Sequence, residues 1–251
     1  MLRELTKDIY GQEVWAYLHG TTVYESLERE DGFKWPLENV GIYFSEYEDW
    51  SHDEKEAIHF AKGRVLDVGA GAGRVSLHLQ QKGLEVTAID ISPLAVKVCK
   101  ARGVKDIRLL SLEEIISQKT DSFETIVMFG NNFGLFKNAF LAKRLLNKMY
   151  HITSPTVLIL AQSSNPYKTR KPVHLKYYAF NRQRDRMPGQ FRVRLRLEEK
   201  AGEWFNYLFV SKKEMEGILN GTGWKIKKFF DSDQSLYSSK STYVAVIEKE
   251  K

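Results

Sequence analysis

Three glycines at alternate positions, Gly69, Gly71 and Gly73, constrain the possible fold more than any other feature of the sequence. They follow an apolar run that ends in Asp67, within the stretch VLDVGAGAGRVS (65–76), and they lead into a helical pattern. Glycine lets a backbone turn tightly and approach a ligand closely, and the first turn of a helix offers unpaired N–H groups and a partial positive charge. The stretch therefore predicts a strand, a ligand-binding loop and a helix in succession.

From Gly63 onward, strand patterns alternate with helix patterns, as a parallel sheet covered by helices requires. Ser92 before Pro93, and Ser111 with Glu114, add helix-start signals. The predicted strands are Arg64 to Val68, Glu85 to Ile89, Ile107 to Leu110, Thr125 to Phe129 and Thr156 to Gln162, and the helices between them are Arg74 to Lys82, Pro93 to Ala101, Leu112 to Gln118 and Asn138 to Ile152. We expect a doubly wound α/β fold.

The segments that flank this core give weaker signals. We expect a single domain in which residues 1–62 form an aromatic-rich N-terminal cap, 63–162 the core, 163–210 a basic insertion and 211–251 the closing elements. In the cap, Ser51 and Glu54 have the spacing of a capping box and predict a short helix that runs to about Ala61.

The insertion and the closing segment have their own predicted elements. Residues 163–190 show no regular pattern, and two β-like runs then predict a hairpin that turns at Ala201 and Gly202. The hairpin strands are Phe191 to Leu197 and Glu203 to Val210, and the closing elements are a helix, Lys212 to Asn220, and two strands, Trp224 to Phe230 and Thr242 to Glu248.

Composition excludes several classes of protein. Apolar stretches such as Thr156 to Ala161 are far shorter than the roughly 18 to 20 residues that cross a bilayer. The first ten residues lack the apolar region of a secretory signal, so we expect a cytoplasmic monomer or homodimer without a membrane segment. Cys99 is the single cysteine, which excludes an intramolecular disulfide and a cysteine-built zinc site. Its apolar neighbours predict a buried thiol on a helix, and no set of metal ligands is evident.

Two carboxylates at predicted strand ends indicate what the glycine loop would hold. Asp67 is placed to meet an ammonium group, and the adjacent helix N-terminus suits a carboxylate. Asp90 ends the next strand, in VTAID, where a carboxylate can accept hydrogen bonds from both hydroxyls of a ribose. The ligand would thus combine an amino acid end with a nucleoside end, as S-adenosylmethionine (SAM) does.

These residues carry a family resemblance. Asp67-x-Gly69-x-Gly71-x-Gly73 and Asp90-Ile91-Ser92-Pro93, followed by Phe123-Glu124-Thr125-Ile126, resemble motifs of class I SAM-dependent methyltransferases over residues 60–162, and 204–248 more loosely. The resemblance implies SAM as cofactor and a seven-stranded sheet of order 3-2-1-4-5-7-6 whose last strand is antiparallel. It also implies that the glycine loop holds the methionine part, Asp90 the ribose, and Ser111 with Leu112 the adenine. The full predicted cofactor set is Asp67, Gly69, Ala70, Gly71, Gly73, Asp90, Ile91, Ser92, Ser111, Leu112, Phe129 and Gly130.

A dinucleotide-binding protein is the main rival for the glycine loop. Such a protein would show G-x-G-x-x-G, but the third glycine would fall at Arg74 or at Ser76, depending on the register. The carboxylate of Asp67, two residues before the first glycine, would also repel a pyrophosphate. Both observations favour the SAM hypothesis, with a noncatalytic SAM-binding protein as an alternative.

The acceptor side gives fewer signals. Ligands lie beyond the carboxyl ends of the strands in open α/β sheets, so Asn131 and Asn132 are candidate substrate contacts, although a plain turn explains them equally well. Tyr177 and Tyr178, with His174, are candidates for substrate binding or proton transfer, but packing is the simpler role. A base is optional, because the sulfonium already carries a good leaving group and methyl transfer depends largely on positioning.

The charge distribution leaves the type of acceptor open. Residues 165–196 hold 10 Lys/Arg against one acidic residue, whereas residues 1–60 hold 5 Lys/Arg against 14 Asp/Glu. The basic segment 168–196, with interleaved aromatics, could contact RNA, or it could simply face the acidic N-terminal region. The N/D-P-P-Y/F loop typical of base-nitrogen methylation does not follow the fourth strand. We favour a small-molecule substrate enclosed by the cap and the insertion, with RNA as the alternative.

Overall fold

The structure is a computed structural model and describes residues 7–21, 23, 25–37, 40–118, 122–232 and 241–250. Its strands are β1 (Glu25–Arg29), β2 (Lys34–Leu37), β3 (Arg64–Val68), β4 (Glu85–Asp90), β5 (Asp106–Leu109), β6 (Thr125–Met128), β7 (Leu158–Ser164), β8 (Gln190–Leu197), β9 (Lys200–Ala201), β10 (Phe205–Leu208), β11 (Trp224–Asp231) and β12 (Thr242–Lys249). Its α-helices are α1 (Ile9–Leu18), α2 (His52–Ile58), α3 (Arg74–Gln81), α4 (Pro93–Arg102), α5 (Leu112–Ser117), α6 (Ala139–Ile152), α7 (Pro172–Arg182) and α8 (Lys212–Leu219).

The larger sheet, traced over the described residues, has seven strands in the order β11-β12-β7-β6-β3-β4-β5. Strands β3 to β7 pair in parallel, and β12 pairs antiparallel with both β7 and β11. If the seven strands are numbered 1 to 7 in chain order, their spatial order from the β5 edge is 3-2-1-4-5-7-6. The seventh strand, β12, is antiparallel to its neighbours. The predicted fold class is confirmed.

Local sequence signals explain why the core forms where it does. Strand β6 is buried along its whole length, because helices cover both faces of the sheet. The Ser92 hydroxyl caps α4 by accepting from the N–H of Ala95, and Pro93 fills the first helical position. Ser111 and Ser211 each begin a helix with a complete capping box. Cys99 is buried on α4, as predicted.

A second sheet, of order β10-β8-β1-β2 with β9 beside β8, joins the N-terminal cap to the insertion. Its central pairing is antiparallel and matches Glu25 with Leu197 and Arg29 with Val193. The sequence predicted the β8–β10 hairpin but not its pairing with β1. The turn prediction was wrong: Leu197 pairs with Lys200, so the chain reverses at residues 198–199 and not at 201–202. Part of the cap, β1 and β2, therefore belongs to a sheet that it shares with the insertion.

Two further predictions need correction. The segment 163–190, predicted to be irregular, contains a short 3₁₀ helix, Pro166–Lys168, and the regular helix α7. The predicted capping box at Ser51 is absent: its side chain accepts no helix N–H, and α2 ends at Ile58. Glu54 pairs with Arg74 instead, which removes it from the helix start. Over the part of the chain that the structure describes, no helix is long and apolar enough to cross a membrane.

Candidate cofactor and acceptor site

The glycine loop connects β3 to α3 at the carboxyl edge of the larger sheet. Gly69, Gly71 and Gly73 all have positive φ, of 71°, 60° and 84°, which a side chain would disfavour. The backbone N–H groups of Gly69 and Ala70 donate to the carbonyl of Ile89, at 2.9 and 3.0 Å. These bonds hold the loop against the end of β4, beside the next predicted site residue.

The carboxylate of Asp90 connects the glycine loop to the start of α4. One oxygen accepts from the N–H of Gly71 and the other from the N–H of Ser92, both at 2.9 Å. Burial raises the pKa of Asp90 to about 6. Each carboxylate oxygen has a second lone pair, so both can still accept a hydrogen bond from a ligand hydroxyl.

Asp67 lies beneath the loop at the end of β3. It is 2% exposed, and one of its oxygens accepts from the Ser76 hydroxyl at 2.6 Å. Burial also raises the pKa of Asp67 to about 6. This bond fixes the strand to the first turn of α3, so part of the carboxylate is used to hold the loop in shape.

Exposed apolar side chains mark the place predicted for adenine. Ile91 and Leu109, at the ends of β4 and β5, are 72% and 53% exposed, so both offer apolar surface at this edge of the sheet. Leu112, by contrast, is buried in the core, and Ser111 is engaged with Glu114 as a helix cap. The structure therefore adds Leu109 to the predicted adenine surface, for which the sequence had indicated the nearby Ser111 and Leu112. Its position at a strand end was the signal that could have found it.

The N-terminal helix α1 packs against the glycine loop and the start of α4. The Asp8 carboxylate accepts from the Ser92 hydroxyl at 2.8 Å and from the N–H of Leu94 at 3.1 Å, which adds a second cap to α4. Two residues later, Tyr10 reaches the glycine loop: a Cβ on Gly71 would lie 2.4 Å from its hydroxyl. The sequence gave no specific signal for either contact, because both join segments more than 60 residues apart.

The two asparagines of the loop after β6 differ in role. The side-chain amide of Asn132 donates to the carbonyls of Val68 and Gly69, at 2.8 and 3.0 Å, so it supports the glycine loop. Asn131 has φ 64°, and its side-chain oxygen is buried without a hydrogen-bond partner among the described residues. The Tyr207 hydroxyl, from the second sheet, donates to the carbonyl of Asn131 at 2.8 Å. This bond attaches the second sheet to the edge of the site.

A cavity of about 190 Å³ lies next to this loop. Arg74 and Glu54 form a bidentate ion pair on its wall, with side chains only 9% and 7% exposed, and the guanidinium stacks on Trp50. The lining residues are Ile42, Ser51, Glu54, Arg74, Gly130, Asn131, Gln162, Ser164, Phe209 and Thr242. The predicted residue Phe129 is buried and packs edge-on against Trp50, so it shapes the wall from behind.

Tyr177 and Tyr178 lie elsewhere, in an aromatic cluster between α7 and the second sheet. They are 1% and 5% exposed, and the Tyr177 hydroxyl donates to Glu30 at 2.9 Å. The Arg29 guanidinium stacks on the Tyr177 ring and contacts His174 at 3.1 Å. These residues pack the insertion together, which corrects their prediction as substrate contacts.

Together, the sheet order, the glycine loop and the two strand-end carboxylates define a class I SAM-dependent methyltransferase, with SAM as its cofactor. Residues 65–156 match the family model described as a methyltransferase domain. A SAM-dependent methyltransferase from Bacteroides fragilis, solved with S-adenosyl-L-homocysteine, is 26% identical and superposes with a TM-score of 0.78. The match covers 98% of this chain and 96% of that one. The chain is thus similar to a SAM-dependent methyltransferase along almost its whole length.

Two further comparisons are narrower. The ubiquinone biosynthesis O-methyltransferase of Xanthomonas oryzae pv. oryzae is 30% identical over 109 residues, which are 41% of this chain and 38% of that relative. The chain thus spans well under half the length of the curated relatives that it matches. A SAM-dependent methyltransferase structure from Methanosarcina mazei is 19% identical with a TM-score of 0.58, over 74% of this chain and 92% of that one. It shows the shared fold.

Proposed function

We propose that the protein transfers the methyl group of SAM to a small-molecule acceptor, which binds between the glycine loop, the N-terminal helix and the second sheet. The observation that carries this proposal is the small cavity beside Gly130 and Asn131. At about 190 Å³ it is smaller than the roughly 300–1,000 Å³ of most ligand pockets, and half of its lining residues come from the cap and the insertion. Such a site suits a compact molecule better than a polymer.

The residues at the sheet edge fit the parts of SAM. The glycine loop allows the methionine part to approach the backbone, with Asp67 on its strand side. The Asp90 oxygens retain lone pairs for the ribose hydroxyls, and Ile91 with Leu109 offers exposed apolar surface for the adenine. SAM supplies an electrophilic methyl group on a sulfonium. Each of these roles is inferred from hydrogen-bond geometry and exposure, and each can be tested by mutation.

The chain's own contribution to the reaction is positioning. Asn132 holds the glycine loop from below, and Tyr207 holds the loop after β6 from above, so the two ligand-facing loops are fixed relative to each other. Correct alignment of two reactants alone can supply roughly 7–11 kcal/mol of a barrier. The curated relatives are O-methyltransferases, which favours oxygen as the accepting atom.

Internal ion pairs argue against RNA as the acceptor. Arg194 and Arg196 both contact Glu28 at 3.0 Å, and Arg186 contacts Glu30 at 3.0 Å. Phosphate binding would compete with these pairs, since three of the ten basic residues in 165–196 hold the acidic N-terminal region. This supports the small-molecule acceptor over the RNA alternative.

The test is transfer of labelled methyl from SAM into a bacterial cell extract, with and without nuclease treatment. We expect label in the fraction below about a kilodalton, unchanged by nuclease, since a cavity of this size admits only compact ligands. The Asp90→Ala variant should give little label, because SAM binding is weakened. Label that is lost after nuclease would support RNA instead, and no label in any fraction would refute the proposed activity.

A further inference from the structure

Two buried glutamates, Glu13 on α1 and Glu25 at the start of β1, face each other between the N-terminal helix and the second sheet. They are 1% and 2% exposed. Their carboxyl groups adjoin, and three of the four oxygens receive no hydrogen bond from a donor elsewhere among the described residues. Buried carboxyl oxygens of this kind are rare, because burial without a donor costs free energy.

The pair also lacks a positive partner. In the part of the chain that the structure describes, no lysine, arginine or histidine forms an ion pair with either carboxyl group. Two other buried acids do have such a partner: Glu28 faces two arginines, and Glu54 binds Arg74. Burial raises the pKa of both Glu13 and Glu25, and the adjoining Glu13 carboxyl raises the pKa of Glu25 further.

Strand geometry places Glu25 on the side of the second sheet that faces the site. Alternate residues of a strand share a face, so Glu25 and Leu27 project with their partners Leu197 and Leu195. Tyr207, on the same face by register, bonds to the loop after β6. Leu27 and Leu195 are only half-buried although they lie on this inner face, which leaves apolar surface open beside the carboxyl pair.

Tyr43 lies beside the glycine loop and close enough to the carboxyl pair to feel its charge. Its ring would be 3.9 Å from a Cβ on Gly71, and it packs edge-on against Tyr10 at 5.1 Å. Burial and the nearby charges of Glu25 and Glu13 raise the pKa of Tyr43. Glu13 lies about one helical turn beyond Tyr10 on α1, so the carboxyl pair lies near the two tyrosines that adjoin Gly71.

We propose that Glu13 and Glu25 recognise a protonated amino group of the acceptor, so that the substrate class is a small molecule bearing a basic amine. An ammonium group has three donors and one positive charge, which matches the oxygens that lack donors. Without a bound cation, the two carboxyl groups hold a proton between them. This inference rests on the proposed methyl transfer and narrows its substrate.

The first experiment separates the labelled small-molecule products on a cation exchanger at neutral pH. We expect the main labelled product to be retained, because it keeps its basic nitrogen. Labelled product that flows through, neutral or anionic, would overturn the amine assignment while leaving methyl transfer intact. The absence of any labelled product would refute the proposed function and this inference with it.

The second experiment measures kinetics of the retained acceptor with Glu25→Gln and Glu13→Gln. Each variant removes a charge without changing shape, so the KM for the acceptor should rise about tenfold or more, while kcat and the Kd for SAM change little. Glu28→Gln is the matched control, since Glu28 lies on the same strand but projects from the other face. Its KM should stay near that of the unchanged protein.

Two results would overturn the role of the pair. One is an unchanged acceptor KM in both variants. The other is a weakened affinity for SAM with an unchanged acceptor KM, which would assign the carboxyls to the cofactor. Thermal unfolding of each variant shows whether it is folded, and Glu13→Gln, on the helix, provides an independent test if Glu25→Gln does not fold.

Discussion

Replacement of Asp90 by asparagine is the sharpest test of the cofactor site. The change keeps the shape of the side chain, but one of its two oxygens becomes an NH₂ group. That group would face a backbone N–H, of Gly71 or of Ser92, which now donates to a carboxylate oxygen at 2.9 Å. One bond within the protein is lost, and the negative charge that would attract the ribose hydroxyls is lost as well.

The expected magnitude follows from the number and type of these bonds. A hydrogen bond to a charged group contributes about 1.5–3 kcal/mol, and part of this loss falls on folding because the carboxylate also supports the loop. The remaining loss in SAM binding should be about 1–3 kcal/mol, which is roughly a 5- to 150-fold rise in Kd. The larger value applies if both ribose hydroxyls bind Asp90.

Isothermal titration with SAM and with S-adenosylhomocysteine measures this loss directly. Asp106→Asn is the matched control, because Asp106 lies on the adjacent strand β5, has a side chain that is 40% exposed and binds Arg108. It should leave the Kd within about twofold, as surface substitutions generally change free energies by under about 0.5 kcal/mol. An Asp90→Asn variant that is folded and binds SAM as tightly as the control would refute the ribose assignment.

Three further outcomes are expected. Burial raises the pKa of Asp67 and Asp90 to about 6, so SAM affinity should be highest above that pH. It should fall by about tenfold towards pH 5, because the carboxylates gain protons. A flat profile of Kd against pH would contradict this. Gly71→Ala should lower both the melting temperature and the affinity for SAM, because its Cβ would lie 2.4 Å from the Tyr10 hydroxyl. Gly83→Ala is the control: it has a similar positive φ but no neighbour within 4 Å, so it should show only the backbone strain of about 1–2 kcal/mol. Tyr207→Phe should raise the acceptor KM several-fold with unchanged SAM Kd, since a hydrogen bond of about 1 kcal/mol is lost; steady-state kinetics and titration separate the two effects.

The core of the fold was predictable because its signals are local. The β3 strand lies at Arg64–Val68, as predicted, since an apolar run is followed at once by glycines that end it. The starts of α4 and α5 were marked by a serine cap with proline and by a capping box. Such signals act within four residues, so no knowledge of distant partners is needed.

The acceptor side could not be predicted in the same way. Helix α7 begins at a proline in its first position, a valid start signal, but it has no side-chain cap and its apolar residues are weakly segregated. The pairing of β1 with β8 joins residues more than 160 positions apart, and strand patterns do not specify their partners. Glu13 and Glu25 gave no signal at all, because acidic side chains are ordinarily expected to face water.

The pairing of β1 with β8 has a consequence for how the molecule assembles. Strand β1 is near the start of the chain, but its hydrogen-bonding partner is made only after the whole parallel core has been synthesised. Closing so long a loop costs entropy before any contact repays it, whereas β3 to β7 and their helices connect near neighbours. The parallel strands β3 to β7 can therefore become ordered during synthesis, before β1 pairs with β8. A substitution in β1 would then slow the formation of the second sheet while the parallel core still forms.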